Sequence, residues 1–236
     1  MLLQVNQIHT YYDDSHVLDN ITLDVARGEM VAILGRNGVG KSTTLKSIMG
    51  IAPARSGTIR FKAQSIRGLP PYRIAGMGIG YVPEERRIFP ELTVRENLIM
   101  GQKTGKYGKK EGGWTIDRVY GKFPMLAKRD GAPGGNLSGG EQQILTLVRT
   151  LMGDPELILI DEPSEGLSPI MAGIIFDLIR EIHQEGISVI LVDRNLSLTC
   201  TMAKRVYIMI KGTIGYSGTG HEVLEDKAIQ AKFLAV

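Results

Sequence analysis

Short apolar runs recur along the chain, separated in its second half by segments with helical periodicity. The runs lie at residues 21–25, 30–34, 157–160, 187–192 and 206–210. Apolar runs of this kind are typical of buried strands, and strands that alternate with helices favour a mainly parallel sheet covered by helices. The sequence therefore predicts an α/β fold. We also expect an antiparallel β part at the N-terminus.

The segment 167–183 has the clearest helical pattern. Its apolar residues, spaced for the most part by three or four positions, are Leu167, Ile170, Met171, Ile174, Ile175, Leu178, Ile179 and Ile182. This spacing places them on one continuous face of a helix. We interpret that face as part of the core and not as a ligand groove.

The middle of the chain, residues 92–151, lacks strong strand runs and contains a loop rich in Gly and Lys at 101–113. This pattern predicts an inserted helical lobe. We expect a single domain over 1–236, in which 1–91 and 152–236 form the catalytic core. The loop lysines are Lys103, Lys106, Lys109 and Lys110. They could approach a phospholipid surface, but lysines among glycines usually form a solvated loop, so we assign them no function.

Composition narrows the class of protein. Hydrophobic residues make up 43% and charged residues 22%, which is ordinary for a globular protein with a sizeable core. The net charge of +3 is too small for nonspecific nucleic-acid binding, so we expect no nucleic-acid partner. Cys200 is the single cysteine, which excludes an intramolecular disulfide and favours a simple core residue. We see no secretory signal and no apolar run near the ~18 residues of a membrane helix.

A phosphate-binding loop is predicted at residues 35–42, which read Gly-Arg-Asn-Gly-Val-Gly-Lys-Ser after the strand at 31–34. Glycines let successive N–H groups face the phosphates, and the following helix adds its positive N-terminus. Lys41 would neutralise the β- and γ-phosphates of ATP, and Ser42 would bind Mg²⁺. The predicted nucleotide contacts are Gly35, Arg36, Asn37, Gly38, Val39, Gly40, Lys41, Ser42 and Thr43. The alternative, a glycine turn without a ligand, explains less of this pattern.

Two adjacent acids, Asp161 and Glu162, end the apolar run at 157–160. An acidic pair at a strand end is more often a cap or a turn. Combined with the phosphate loop, it has the form of a Walker B motif. Asp161 would hold Mg²⁺ through water, and Glu162 would polarise the attacking water as the catalytic base.

Residues 137–142 read Leu-Ser-Gly-Gly-Glu-Gln and directly precede an apolar helical pattern. Taken alone, the motif is a Ser N-cap followed by a loose turn. With the two motifs above, the sequence resembles the ABC ATPase family over nearly its whole length. The resemblance implies a P-loop NTPase fold that binds ATP and Mg²⁺. It also implies that Ser138, Gly139 and Gly140 bind the γ-phosphate held by a second ATPase subunit.

Further residues take their roles only from this resemblance. Tyr12 stands where the family places an aromatic that stacks on adenine, ahead of its neighbour Tyr11. Core packing is the ordinary alternative for such a tyrosine. Residues 163–167 resemble the loop that touches the opposite nucleotide site, although a simple turn explains them equally well on local grounds.

Two positions depart from the common family pattern. Glu84 stands where most members have a Mg²⁺-contacting glutamine, and it would still offer a metal ligand while losing an amide donor. Arg194 stands where a histidine usually senses the γ-phosphate. Arginine stays charged, cannot shuttle a proton and could pair with Glu162. Both substitutions put the rate of hydrolysis at the chain's own site in question.

Within the family, segments 81–90 and 161–169 look like the branched-chain amino acid uptake group, with urea and short-amide importers similar. The resemblance implies a peripheral subunit at the cytoplasmic face of the membrane. Its partners would be a second ATPase chain, two permease chains and, indirectly, an extracytoplasmic solute-binding protein. We expect residues 86–89 to receive a permease helix, unless Phe89 packs in its own lobe. The competing classes are a soluble ABC ATPase acting on DNA or ribosomes, and a nucleotide-gated module that hardly hydrolyses ATP.

Overall fold

Two β-sheets organise the chain, and the computed structural model describes residues 1–102 and 113–234. The strands are β1 (Leu3–Tyr12), β2 (Ser15–Val25), β3 (Met30–Leu34), β4 (Ser56–Phe61), β5 (Gln64–Ser65), β6 (Ile79–Val82), β7 (Leu157–Asp161), β8 (Ser188–Val192), β9 (Arg205–Ile210) and β10 (Thr213–Thr219). One sheet has the order β2-β1-β4-β5 and is antiparallel. The other has the order β10-β9-β3-β8-β7-β6 and is parallel except at β10. The predicted α/β fold with an N-terminal antiparallel part is confirmed.

Helices connect and cover the parallel strands. They are α1 (Lys41–Ile48), α2 (Pro71–Met77), α3 (Val94–Gly101), α4 (Ile116–Lys122), α5 (Pro124–Ala127), α6 (Gly139–Leu151), α7 (Pro169–Gln184), α8 (Leu196–Met202), α9 (Gly220–Glu225) and α10 (Lys227–Ile229), with a 3₁₀ turn at Gly134–Asn136 and a π-helical turn at Gln230–Leu234. Strands β3, β7 and β8 are buried at every position. Such fully buried strands produce the uninterrupted apolar runs seen in the sequence.

The helices α3–α6 occupy the chain between β6 and β7, where the helical lobe was predicted. Their buried side chains, such as Leu98 and Ile144, belong to the same apolar cluster as Ile158 of the parallel sheet. Since this core is continuous, the division at residues 92 and 151 stays a prediction. The lysines of the Gly- and Lys-rich loop lie outside the described residues.

Helix α7 corrects one detail of the sequence analysis. The helix begins at Pro169, where Ser168 caps its N-terminus and the missing N–H of proline costs nothing. The predicted stripe is buried from Ile175 onward, but Ile170 is 77% exposed, so the face is not continuous core at its start. Cys200 is buried in α8, as the core interpretation expects. Among the described residues, no helix is both long and apolar enough to cross a bilayer.

Candidate nucleotide and metal site

The phosphate loop connects the end of β3 to the start of α1. Gly35 and Gly40 have φ values of 144° and 105°, which side-chain-bearing residues rarely adopt. A Cβ at Gly35 would lie 2.6 Å from the carbonyl oxygen of Met209, and one at Gly40 would lie 2.6 Å from Leu18. Gly40 is also the N-cap of α1 and has no side chain to occupy the first N–H groups. The helix N-terminus can therefore receive an anion.

The ammonium of Lys41 lies over this loop. Its side chain is only 4% exposed, and Nζ donates to the carbonyl oxygens of Gly35 and Arg36 at 3.0 and 3.1 Å. Nζ also lies 3.5 Å from Oε1 of Glu162. The Lys41 ammonium can exchange these hydrogen bonds to carbonyl oxygens for stronger bonds to a phosphate without moving far.

Ser42 and Asp161 meet although 119 residues separate them in sequence, because each follows a strand of the parallel sheet or ends one. Ser42 Oγ donates to Oδ1 of Asp161 at 3.0 Å. Tyr81 OH lies 3.4 Å from Oδ2 of Asp161. The pKa of Asp161 is raised from its ordinary 3.8 to about 6, chiefly by burial and also by the carboxylates of Glu162 and Glu84, against the lowering effect of the Ser42 hydrogen bond. The surroundings of Asp161 therefore do not compensate its negative charge. A cation such as Mg²⁺, which prefers oxygen ligands, could bind between this carboxylate and the Ser42 hydroxyl.

Glu162 begins the turn after β7 with φ of 41°, a left-handed conformation that costs energy in a non-glycine residue. Its N–H donates to the carbonyl oxygen of Val192 at 2.7 Å, which fixes the turn against β8. Its buried carboxylate lies between two cations, because Oε1 faces Lys41 and Oε2 lies 2.6 Å from Nε of Arg194. Among the described residues Oε2 accepts no hydrogen bond, so its contact with Arg194 is a charge pair.

These residues surround one cleft of about 260 Å³. It is lined by Val17, Asn37, Gly38, Gly40, Lys41, Ser42, Thr43, Glu84, Glu162 and Arg194. Glu84 and Arg194, the two positions that depart from the common family pattern, thus lie beside the phosphate loop. Val17 of β2 was missed by sequence reasoning, because a valine within a strand carries no signal that distinguishes it from core.

Two groups of predicted residues lie elsewhere. Tyr12, at the end of β1, is 46% exposed and is not part of the described lining, so its adenine role stays a prediction. Ser138 caps α6 in a capping box with Glu141, and the glycines Gly139 and Gly140 follow it, also outside the lining. This placement is compatible with a role toward a second subunit, which stays a prediction.

Arg86, in the segment after β6, lies near both the start of α6 and the turn after β7. A Cβ at Gly139 would lie 2.4 Å from Nη1 of Arg86, and Nη2 donates to the carbonyl oxygen of Glu165 at 2.9 Å. From the sequence, Arg86 belongs to the segment 86–89, which we expected to receive a permease helix. The structure instead directs its guanidinium at the start of α6 and the turn after β7.

Asp161→Asn is expected to stabilise the ligand-free protein at pH 7. The folded-state pKa of about 6 exceeds the ordinary 3.8, so the ionised carboxylate opposes folding at neutral pH and the penalty disappears as pH falls from about 6 to 4. We expect the free energy of unfolding to rise by about 2–3 kcal/mol at pH 7 and the difference to shrink toward pH 4. Urea unfolding in EDTA measures it. A less stable variant at pH 7 would mean that the Ser42 hydrogen bond outweighs the buried charge.

Comparison with known proteins gives a consistent result. The sequence model of a family described as "ABC transporter" matches residues 18–165. The high-affinity branched-chain amino acid transport ATP-binding protein BraG of Pseudomonas aeruginosa is 38% identical over 99% of each chain. The lipopolysaccharide export system ATP-binding protein LptB of Escherichia coli is 33% identical over 94% of this chain and 92% of its own. A solved ATP-binding subunit of an ABC transporter superposes with a TM-score of 0.83 at 28% identity, covering 97% of this chain and 94% of its own.

Proposed function

This chain belongs to the ABC transporter family and is an ATPase of that family, and on this premise we propose that it drives the uptake of branched-chain amino acids as the ATP-hydrolysing subunit of an importer. One observation supports the hydrolytic role above all. Lys41, Ser42 and Glu162 line a single cleft, and Asp161 bonds directly to one of them. The proposed solute rests on the likeness to BraG.

Six side chains at or beside the cleft have a proposed task. The N–H groups of the loop and Lys41 hold the β- and γ-phosphates of ATP, and Thr43 reaches the α- or β-phosphate. Ser42, Glu84 and, through water, Asp161 hold Mg²⁺, which neutralises charge on the phosphates. Glu162 accepts a proton from the attacking water, because its carboxylate lies at the cleft and carries an oxygen without a hydrogen bond within the described chain.

We further propose that two copies share each nucleotide. Ser138, Gly139 and Gly140 lie at the N-terminus of α6 and outside the chain's own cleft. A helix N-terminus with small residues offers N–H groups to an anion at close range. If these residues of one copy complete the nucleotide site of the other, ATP lies between the two copies, and dimerisation would depend on ATP.

Arg194→Ala is expected to lower steady-state phosphate release by at least about tenfold while ATP affinity stays nearly unchanged. Arg194 Nε lies 2.6 Å from Oε2 of Glu162, and the arginine lines the cleft proposed to hold the γ-phosphate. Loss of one hydrogen-bond donor that stabilises a transition state lowers turnover by roughly 10²–10³-fold in a known enzyme. Arg180→Ala, which removes an exposed arginine paired with Asp177 on α7, is the control. Faster hydrolysis in Arg194→Ala would mean that Arg194 restrains Glu162, as the slow nucleotide-gated alternative requires.

A groove beside the helical segment is the proposed permease contact. Its volume is about 450 Å³, and its lining includes Met49, Tyr81, Phe89, Met100 and Arg149. Phe89 and Met100 are 44% and 61% exposed, so Phe89 is not packed away within its own lobe. The Arg149 guanidinium lies 4.9 Å from the Phe89 ring centroid. An exposed aromatic beside an arginine is typical of the centre of a protein interface.

The double variant Phe89→Ala with Arg87→Glu is expected to lose permease association and transport while ATP binding by the isolated subunit stays within about twofold. Both side chains are exposed and neither lines the nucleotide cleft, so the change removes a docking anchor without touching the phosphates. Co-purification with the permease and ATP titration measure the two effects. Arg180→Glu controls for charge reversal. Normal assembly and transport by the double variant would place the docking site elsewhere.

The identity of the transporter is tested by purifying this chain from solubilised membranes and identifying what accompanies it. Amino-acid permease chains with leucine uptake that depends on Lys41 would support the proposal. The likeness to LptB makes lipopolysaccharide export the second candidate, and export components in the preparation would favour it. Urea or short-amide permeases would keep the importer and change the solute. Ribosomes or DNA without permeases would overturn the transport role.

A further inference from the structure

Three ligand-type side chains meet on the antiparallel sheet, outside the nucleotide cleft. They are His9 on β1, and His16 and Asp19 on β2. We propose that this cluster, called here the β1–β2 site, binds one divalent transition metal ion of the zinc class. The inference goes beyond the proposed ATPase function and does not depend on it.

The two distances from His9 to the other ligand atoms match a tetrahedral ion. His9 Nδ1 lies 3.2 Å from His16 Nε2 and 3.3 Å from Asp19 Oδ1, and the three ligand atoms all lie within 4.8 Å of one another. Zinc bonds to nitrogen and oxygen of about 2.0–2.1 Å at tetrahedral angles separate two ligand atoms by roughly 3.3 Å. His9 therefore already has the spacing to both partners that a shared ion requires, and His16 and Asp19 lie close enough to complete the site.

Hydrogen bonds within the chain cannot use both contacts of His9 Nδ1 at once. His9 Nδ1 offers either one N–H or one lone pair, yet both His16 Nε2 and Asp19 Oδ1 lie within hydrogen-bond distance of it. In the neutral ring, Nδ1 can donate to Asp19 or accept from His16, but it cannot do both. An ion at the centre would bind all three lone pairs at once.

The surrounding residues orient these ligands. Tyr11 and His16 are paired across the strands, and their rings stack with centroids 4.2 Å apart and an angle of 5° between the planes. Arg55 stacks on the same Tyr11 ring at 4.3 Å and donates to the carbonyl oxygen of Asp13. This stack fixes the plane of the His16 ring. Asp19 is more than half exposed, which leaves a path for the ion and room for water as a fourth ligand.

The donor set selects the class of metal. Two neutral imidazoles and one carboxylate suit Zn²⁺ and its neighbours, whereas Mg²⁺ and Ca²⁺ prefer oxygen ligands alone. Bound there, the ion would tie β1 to β2 on both sides of the turn that joins Tyr12 to Ser15. The site would thus brace the hairpin against separation of its strands.

The test is a Zn²⁺ titration of the untagged chain against a chromophoric chelator, with saturating Mg²⁺ to occupy the site at Asp161. We expect one equivalent to bind in the micromolar range. His16→Gln should weaken binding by more than about 100-fold, the upper end of what loss of an outer-shell partner costs. His221→Gln, which removes an exposed histidine of α9 paired with Glu225, is the matched control and should bind as the wild type does. Co²⁺ should give strong tetrahedral visible absorption that His16→Gln lacks.

Asp19→Asn serves as a second variant, because this exposed residue can change without disturbing the core. It should also weaken Zn²⁺ binding, and Zn²⁺ should raise the thermal midpoint of the wild type more than that of either variant. Absence of stoichiometric binding by the wild type would overturn the site. Retained affinity in both His16→Gln and Asp19→Asn, or an equal loss in His221→Gln, would do so as well.

Discussion

Lys41→Ala is expected to abolish tight ATP binding, with a loss of affinity of at least about 100-fold. The loss corresponds to about 3 kcal/mol, the upper value for a hydrogen bond to a charged group. Lys41 is the buried cation of the phosphate loop, and its ammonium already lies on the loop carbonyls that a phosphate would adjoin. Titration with a fluorescent ATP analogue, with and without Mg²⁺, measures the effect.

Lys46→Ala is the matched control, since this lysine lies on the same helix but is paired with Glu85 and is absent from the described lining of the cleft. It should retain affinity within a few-fold. The folded state of Lys41→Ala can be checked by circular dichroism, because Glu162 keeps Arg194 as a charge partner when Lys41 is lost. Unchanged nucleotide affinity in a folded Lys41→Ala protein would contradict the assignment of the phosphate loop.

The strands nearest the site were predictable because their sequences are nearly unbroken apolar runs. Strand β3 begins and ends at the predicted residues, and β7 and β8 differ from the predicted runs by a residue at one end. Parallel strands place their carboxyl ends at one edge, which is why Ser42 and Asp161 could be assigned to one metal site across 119 residues. The phosphate loop was predictable from the spacing of its glycines, because φ values such as that of Gly40 exclude most other residues.

Contacts that depend on sheet register were not predictable. Strand β1 pairs with β2 through three irregularities between Val5 and Tyr11, and a shift of one residue moves a side chain to the opposite face. The meeting of His9 with His16 therefore had no signal in the sequence. The direction of Arg86 was hidden for a related reason, because its left-handed φ of 45° turns the chain in a way that residue type alone does not indicate.

Glu162→Gln is expected to reduce ATP turnover by about 10²–10⁴-fold while ATP binding stays intact. The amide keeps the shape of the side chain and an oxygen for Lys41, which lies 3.5 Å from Oε1, but it cannot accept a proton from water. Burial and the strained turn hold the side chain at one place in the cleft. Phosphate release and ATP titration on the same preparation measure both quantities.

Glu165→Gln is the matched control for this change, because Glu165 is another glutamate of the same turn and contacts the same Arg194, at 3.1 Å. It should hydrolyse ATP within about tenfold of the wild type, as expected for a residue outside the described lining of the cleft. With hydrolysis stalled, Glu162→Gln should also accumulate as an ATP-bound dimer, since Ser138 and its neighbours would complete the site of the other copy. Size-exclusion chromatography with light scattering measures the mass of the particle and so distinguishes dimer from monomer. Normal hydrolysis would move the base to another residue, and a persistent monomer at saturating ATP would contradict the shared nucleotide site.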